Sequence, residues 1–132
     1  MILEATIYTQ PVAKARARVA VRNGHAIAYT PAKTKNSETE IRCLIREHTR
    51  GSIFGKGVPL ALEAIFYIEK PASKPKRVKY PTTRPDIDNF LKTLLDALNG
   101  YVIPDDSQIV QITASKAYGT PARIYLKISE VE

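Results

Sequence analysis

The sequence has little that would support covalent cross-linking or membrane insertion. It contains one cysteine, Cys43, and no tryptophan, so an internal disulfide and a cysteine-based zinc site are both excluded. No uncharged apolar run approaches the roughly 18–20 residues that a membrane span needs. The first ten residues, MILEATIYTQ, lack a basic region and include Glu4, so we expect no signal peptide and a protein that stays inside the cell.

The composition is that of one folded domain with excess positive charge. The chain has 132 residues, of which 44% are hydrophobic and 25% are charged. It shows no repeat, low-complexity tract or linker, so we expect a single domain over residues 1–132. The 20 lysine and arginine residues outnumber the 13 acidic ones, which gives a net charge of +7. This balance favours an anionic partner such as nucleic acid.

The charges are distributed unevenly along the chain. Residues 14–46 hold eight lysines and arginines against two glutamates, and residues 69–84 hold six against one. All five aspartates lie within residues 85–106, whereas all eight glutamates lie elsewhere. A protein that only bound phosphates would gain nothing from acidic residues between two basic segments. A metal-dependent phosphodiesterase requires both, carboxylates for the cation and basic residues for the DNA backbone.

Hydrophobic alternation predicts the strands. We expect strands over residues 2–8 and 58–68, and the Asn23-Gly24 turn predicts a hairpin between two short strands. Two further alternating runs flank residues 119–122 and are interpreted as a C-terminal hairpin.

Apolar residues at helical spacing predict two helices on this sheet. Their expected limits are Thr30-Pro31 to about Gly51, and Asp86 or Asp88 to Asn99, before Gly100. The four prolines of residues 70–85 predict an extended loop. The expected fold class is therefore α+β, with two main helices packed on a mixed or antiparallel sheet.

The aspartates form a candidate metal site. Asp86 and Asp88 stand where the proline-rich loop becomes a helix, and Asp105 and Asp106 lie on a turn that follows it. A hairpin-like return after the helix would bring Asp106 back to the helix start. Oxygen donors without histidine or cysteine select Mg²⁺, or Mn²⁺ in its place, over Zn²⁺. Such an ion activates water and polarises a phosphoryl oxygen, and Lys92 nearby would stabilise the charge that develops on the phosphate.

Each aspartate also has a structural interpretation when it is read alone. Asp86 fits a helix N-cap, and the Asp105-Asp106 pair fits an ordinary turn. Asp96, four residues after Lys92, fits a solvated ion pair with that lysine. The concentration of every aspartate in one short window of a basic chain favours the metal site.

The window RPDIDNFLKTLLDALNGYVIPDDSQI resembles the signature of the RusA-type Holliday-junction resolvases. The matching positions are Arg84, Asp86, Asp88, Asn89, Lys92, Asp96-Ala97-Leu98 and Asp105-Asp106-Ser107-Gln108. A weaker similarity to the family's basic N-terminal segment covers Pro11, Lys14, Arg16, Arg18 and Tyr29-Thr30-Pro31.

This resemblance implies a homodimeric, divalent-metal-dependent endonuclease of recombination and repair, cytoplasmic and encoded by a bacterium or a prophage. It would bind four-way DNA junctions and nick two opposing strands symmetrically, leaving 5′-phosphate and 3′-hydroxyl ends. By position, Asp86, Asp88 and Asp106 resemble the catalytic metal-binding aspartates and Lys92 the catalytic lysine. Asp105 is a further possible metal ligand.

A two-fold dimer fits this function because a two-fold symmetric junction needs two related cuts. The strand over residues 60–68 and the Leu94–Leu98 end of the second helix are the two candidate interfaces. No small-molecule cofactor is expected.

Two basic segments supply the candidate DNA contacts. These are Lys14, Arg16, Arg18 and Arg22 near the N-terminus, and Lys74, Lys76, Arg77, Lys79 and Arg84 on the proline-rich loop. Two other functions compete with the resolvase. One is a non-catalytic nucleic-acid-binding module, and the other is a different Mg²⁺-dependent phosphoryl-transfer enzyme, for which the chain offers no glycine-rich phosphate loop.

Overall fold

The computed structural model describes residues 1–15, 17–29, 31–49 and 52–132. These residues form six strands and two helices, in chain order. They are β1 (Ile2–Ile7), β2 (Arg18–Arg22), β3 (His25–Tyr29), α1 (Ala32–Ile45), β4 (Leu60–Ile68), α2 (Ile87–Leu98), β5 (Ile109–Tyr118) and β6 (Arg123–Glu130). A short 3-10 turn, Asp106–Gln108, leads into β5. The α+β fold class is therefore confirmed.

Four of the strands form one mixed sheet in the order β1-β6-β4-β5. β6 runs antiparallel to both β1 and β4, whereas β5 runs parallel to β4. Parallel neighbours need a crossover connection, and α2 provides it. The β4–α2–β5 unit therefore places the beginning of α2 beyond the end of β4, and the beginning of β5 beyond the end of α2.

Both helices pack on one face of this sheet. Alternate residues of β1, β4 and β6 point into the core, as in Leu60, Leu62, Ala64 and Phe66 of β4, which are at most 2% exposed. The Phe66 ring stacks on Phe90 of α2, with 5.5 Å between the ring centroids. Since this packing joins the end of β4 to the first turn of α2, it fixes the start of α2 on the sheet.

The predicted helices form with limits close to those expected. α2 ends at Leu98, and Gly100 follows with a φ of 72°, a conformation that glycine adopts without strain. α1 is shorter than predicted, because it ends at Ile45 and is followed by turns. The predicted limits at Thr30 and Gly51 lie outside the described residues.

The predicted C-terminal hairpin is wrong. β5 and β6 are consecutive strands, yet β4 lies between them in the sheet. Their connection crosses the end of β4, where the Gly119 amide donates to the Ile68 carbonyl at 2.9 Å. A Cβ atom on Gly119 would lie 2.7 Å from the Tyr67 ring, so only glycine fits this crossing. Periodicity identified both strands correctly but not their neighbours.

The dimer interface stays a prediction, but the structure limits both candidates: β4 can contribute only the outer face of the sheet, and the side chains of Leu94 and Leu98 cannot contribute. β4 is an inner strand with a partner on each side, and Leu94 and Leu98 are completely buried in the core. The apolar character of these residues serves the packing of a single chain.

The remaining segments lie outside the main sheet. β2 and β3 pair only with each other, around Asn23 and Gly24, both at positive φ. The proline-rich segment 70–85 contains turns but no helix or strand, as predicted. No helix among the described residues is long and apolar enough to cross a membrane.

Candidate active site

The N-terminal end of α2 presents two exposed carboxylates. Asp86 occupies the N-cap position in an extended conformation, but its side chain makes no capping hydrogen bond. Only its backbone carbonyl is used, by the amides of Asn89 and Phe90. Asp88 lies in the first helical turn and is exposed. The N-cap interpretation of Asp86 is therefore correct for its position but not for its side chain, which is free to bind a ligand.

Lys116 and Phe90 hold the backbone on either side of these carboxylates in place. Lys116, near the end of β5, donates through Nζ to the carbonyls of Thr83 at 3.0 Å and Pro85 at 3.1 Å. Phe90 is 2% exposed and anchors the first turn of α2 in the core. The helix N-terminus also carries partial positive charge, which favours anions there. Sequence reasoning missed Lys116, because nothing in a strand pattern shows which loop its side chain will reach.

Lys92 lies one turn beyond Asp88 and is exposed. Within the described part of the chain it has no hydrogen-bond or ion-pair partner. A free ammonium group four residues from Asp88 in a helix lies on the same side of that helix. The lysine is therefore placed to meet an anion that approaches the Asp86–Asp88 pair.

Asp105 and Asp106 lie at the other end of α2. The Asp106 amide donates to Oδ1 of Asn99, the residue that caps α2, at 2.9 Å. The Asp105 carboxylate accepts from the Ser107 amide at 3.0 Å. This backbone hydrogen bond is the main reason that the pKa of Asp105 is lowered. The turn interpretation of Asp105 is thus confirmed.

The expected return of Asp106 to the helix start therefore needs correction. The chain folds back only as far as Asn99, and the 12 residues of α2 span about 18 Å. β5 then leads away from Asp106 to Lys116, which holds the opposite end of the site. Among the described residues, no three acidic, histidine or cysteine side chains come together to hold a metal ion.

Asp96 also differs from expectation, since its partner is Lys14 and not Lys92. Lys14 Nζ lies 2.8 Å from the Glu38 carboxylate and 3.0 Å from that of Asp96. The Lys14 amide additionally donates to the Asn89 carbonyl at 2.8 Å. The hydrogen bond to Glu38, followed by that to Asp96, raises the pKa of Lys14 against the opposing effect of burial. Two carboxylates thus compensate the charge of Lys14, which ties α1 to α2.

The other predicted DNA contacts lie at the surface. Every one that the structure describes is exposed: Arg18, Arg22, Lys74, Lys76, Arg77, Lys79 and Arg84. Arg16 lies outside the described residues. The proline-rich loop is held in shape by its own contacts, including Lys70 Nζ to the Val78 carbonyl at 2.6 Å. Its basic side chains are therefore displayed on a folded loop that leads directly to Asp86.

A cleft adjoins the N-terminal end of α2. Its volume is about 650 Å³, and Pro85 and Phe90 form the wall nearest Asp86. Arg18 and Lys33 contribute positive charge and Glu69 contributes negative charge. Lys33 was not among the residues singled out above, although it belongs to the basic segment 14–46.

Comparisons with known proteins identify the family of this chain. Residues 9–129 match the family described as Endodeoxyribonuclease RusA, which places the chain in the class of DNA-cutting nucleases. The chain belongs to the RusA family, and the resemblance seen in the sequence is confirmed.

Two relatives illustrate the range of the similarity. An uncharacterized protein of Bacillus subtilis (strain 168), YqaN, is 33% identical over 98% of this chain and 96% of its own length. The crossover junction endodeoxyribonuclease rusA of Lactococcus phage r1t is 40% identical over 59% of this chain and 60% of its own length.

Proposed function

We propose that this protein is a divalent-metal-dependent endonuclease that resolves four-way DNA junctions by paired, symmetric nicks. The observation that carries the proposal is the Asp86–Asp88 pair. Both side chains are exposed at the start of α2, and Asp86 makes no capping hydrogen bond with its side chain. A loop rich in basic residues directly precedes them. A purely structural pair would be expected to cap the helix or to form ion pairs. Membership of the RusA family supports the same function.

Asp86 and Asp88 would hold the cation, Mg²⁺ or Mn²⁺. Magnesium in such sites is commonly bound by one or two carboxylates together with substrate phosphates and waters, so this pair fits the protein's share of such a donor set. The bound ion would supply Lewis acidity and an activated water. Lys92 would contact the non-bridging oxygens of the scissile phosphate and stabilise the charge that grows on them. The products would carry 5′-phosphate and 3′-hydroxyl ends.

A homodimer would bring a third carboxylate to this pair. Within the described structure β5 is an edge strand that pairs with β4 alone, and its residues Val110 and Ile112 are 63% and 43% exposed. Two copies of β5 paired antiparallel about a two-fold axis would lie with the start of each strand beside the end of the other. Asp106 lies just before the start of β5, and Lys116 near its end holds the loop before Asp86. Asp106 of the partner subunit would therefore approach Asp86 and Asp88.

Cleavage of synthetic DNA tests the nuclease. The protein is incubated with a labelled four-way junction or a linear duplex, with and without Mg²⁺. We expect two symmetric nicks in the junction only, ligatable by DNA ligase, and no cleavage without the metal. Binding without cleavage in Mg²⁺ or Mn²⁺ would instead identify a non-catalytic DNA-binding module.

Mixed dimers test the shared site. Asp88→Asn and Asp106→Asn chains carrying different affinity tags are co-expressed, and the heterodimer is isolated by two successive purifications. If each site combines Asp88 of one chain with Asp106 of the other, the heterodimer keeps one intact site and nicks one strand, while both homodimers are inactive. If each site lies within one chain, the heterodimer is inactive too, and the shared site is excluded.

A further inference from the structure

The β2–β3 hairpin is a separate two-stranded sheet, and Arg18 at the start of β2 lines the cleft beside α2. Of its ten strand residues, all but Ala20 are exposed. Val19 and Val21 are 68% and 74% exposed, and Ile27 and Tyr29 are 46% and 45% exposed. Two-stranded hairpins are marginally stable in water unless they pack on another surface. Both faces of the hairpin are therefore available to a partner.

The two faces of the hairpin differ in character. Residues directly opposite each other in an antiparallel pair lie on the same face, so the observed register assigns the faces. One face is apolar and consists of Val19, Val21, Ala26 and Ala28. The other is basic and aromatic and consists of Arg18, Ala20, Arg22, His25, Ile27 and Tyr29.

The basic face has no internal counter-charge. Residues 18–29 contain no acidic side chain. Within the described part of the chain, neither Arg18 nor Arg22 has a hydrogen-bond or ion-pair partner. Lys14, only four residues before Arg18, is by contrast neutralised by two carboxylates. Arg18 and Arg22 are thus exposed and unpaired, which favours a partner with negative charge.

We propose that the hairpin is a β-ribbon arm that lies in the major groove of a DNA duplex, with its basic face towards the DNA. A major groove is about 12 Å wide and admits a two-stranded ribbon. The Cα atoms of Arg18 and Arg22, four residues apart along β2, are about 13 Å apart. Each arginine then reaches the phosphates on one rim of the groove, while Ala20 and Ile27 face its floor. This inference rests on the proposed function, because it concerns how the nuclease holds the arms of its junction.

Equilibrium binding tests the arm independently of cleavage. The parent protein is the Asp88→Asn variant, measured on a junction and on a duplex in EDTA at several salt concentrations from about 50 to 200 mM. We expect Arg18→Ala/Arg22→Ala to weaken binding by about tenfold or more and to lower the slope of log K against log salt by about two, one per lost phosphate contact. The amides of residues 18–29 should also exchange hydrogen more slowly when DNA is bound to the parent.

Two control variants test whether the effect is specific to the basic face of the hairpin. One tests a general loss of positive charge, and the other tests a change on the apolar face. Lys127→Ala removes the same charge as Arg22→Ala but lies on β6, on the face of the main sheet away from α1 and α2, so it should leave the salt slope unchanged. Val21→Thr alters the apolar face without changing its charge and should leave DNA binding unchanged.

The outcomes distinguish failure of the arm from failure of the nuclease. If the parent binds DNA but the double arginine variant keeps its salt slope and the hairpin exchange is unaffected by DNA, the arm is overturned and the nuclease stands. If Val21→Thr lowers the dimer mass and weakens DNA binding, a second copy of the chain covers the hairpin and the arm is overturned. If the parent binds no DNA, both proposals fail.

Discussion

The two ends of α2 carry acidic residues with opposite environments. At the N-terminal end, Asp86 and Asp88 are exposed, and the Asp86 side chain makes no capping bond. At the C-terminal end, Asp96 is paired with Lys14, and Asp105 accepts a backbone hydrogen bond. A carboxylate that already has a protein partner contributes to the structure, whereas one without a partner is available to a cation. These four aspartates are close in sequence but fall into two groups in three dimensions.

The largest expected difference between the two groups is in the cleavage rate. Asp88→Asn should lower the rate of junction nicking by about a thousandfold or more, because losing a metal ligand removes several kcal/mol of transition-state stabilisation and about 4 kcal/mol corresponds to a thousandfold. Asp96→Asn, the matched control on the same helix, should change the rate by less than about threefold. Single-turnover cleavage of a labelled junction in Mg²⁺ measures both.

If the cleavage rate fell by a comparable factor in both variants, the proposed functional difference between the two ends of α2 would be contradicted. Binding of each variant to the junction in EDTA is the control, because Asp88→Asn should retain it or bind more tightly after losing a repelling charge. Failure to bind would indicate misfolding and not a lost ligand.

The second difference is in stability and involves the partnered carboxylates. Lys14→Met should lower the free energy of unfolding by about 2 kcal/mol, because it leaves Glu38, which is largely buried, and Asp96 without their cation. Lys92→Met should change it by less than about 0.5 kcal/mol, since Lys92 is exposed and unpaired. Urea unfolding at neutral pH measures both free energies, and equal values for the two variants would contradict the assignment of Lys14 to the scaffold.

The pH dependence of the same measurement has a defined sign. Because the folded protein raises the pKa of Lys14 above its ordinary value of 10.5, the ion pair contributes fully below that pH. Its contribution is lost as the pH rises through the higher folded value. The difference in stability between wild type and Lys14→Met should therefore be constant from pH 7 to 10 and shrink above that range.

Most of the local structure could be predicted from the sequence, because each feature is encoded within a short segment. The Asn23-Gly24 turn, the apolar stripe of α2 and the alternation in β4 all act over fewer than fifteen residues. The pairing partners of a strand could not be predicted in the same way, because the hydrophobic alternation of β5 is compatible with pairing to either β4 or β6. The pairing is decided by two connections: α2 links the parallel strands β4 and β5, and the β5–β6 connection passes the end of β4 at Gly119. Hydrophobic periodicity predicts neither connection.

The residues of the candidate site stay a prediction from the sequence, and the structure corrects how they were expected to assemble within one chain. The composition of the 85–106 window and the resemblance to RusA-type resolvases both identified the aspartates and Lys92. Their convergence depended on how far the chain returns after Gly100, and the hydrogen bond between Asn99 and Asp106 stops it at the end of the helix. Spacing likewise predicted Lys92 as the partner of Asp96, whereas the folded chain brings Lys14 to it from 82 positions earlier.

A smaller effect, on the free energy of unfolding, is expected when the hydrogen bond between Asn99 and Asp106 is removed. Asn99→Ala should destabilise the protein by about 1 kcal/mol, because it removes one partly exposed hydrogen bond. It should also speed hydrogen exchange at the Asp106 amide. Asn36→Ala, an exposed asparagine on α1, is the control and should change neither quantity. An unchanged exchange rate at Asp106 would show that the Asn99 side chain does not fix the turn.

The smallest effect concerns a partnered carboxylate far from both ends of α2. Tyr125 on β6 donates its hydroxyl to Glu4 of β1 at 2.6 Å, and this hydrogen bond raises the pKa of Tyr125 to about 12. Since the folded pKa lies above the ordinary value of 10, the stabilisation is complete below pH 10 and is lost between about pH 10 and 12. Glu4→Gln should bring the pKa of Tyr125 back towards 10 and leave junction cleavage unchanged. Ultraviolet titration of tyrosinate, with Tyr125→Phe identifying the residue among seven tyrosines, measures this shift. An unshifted titration would mean that the Glu4 contact does not persist in solution, whereas a loss of cleavage would extend the catalytic surface to the opposite edge of the sheet.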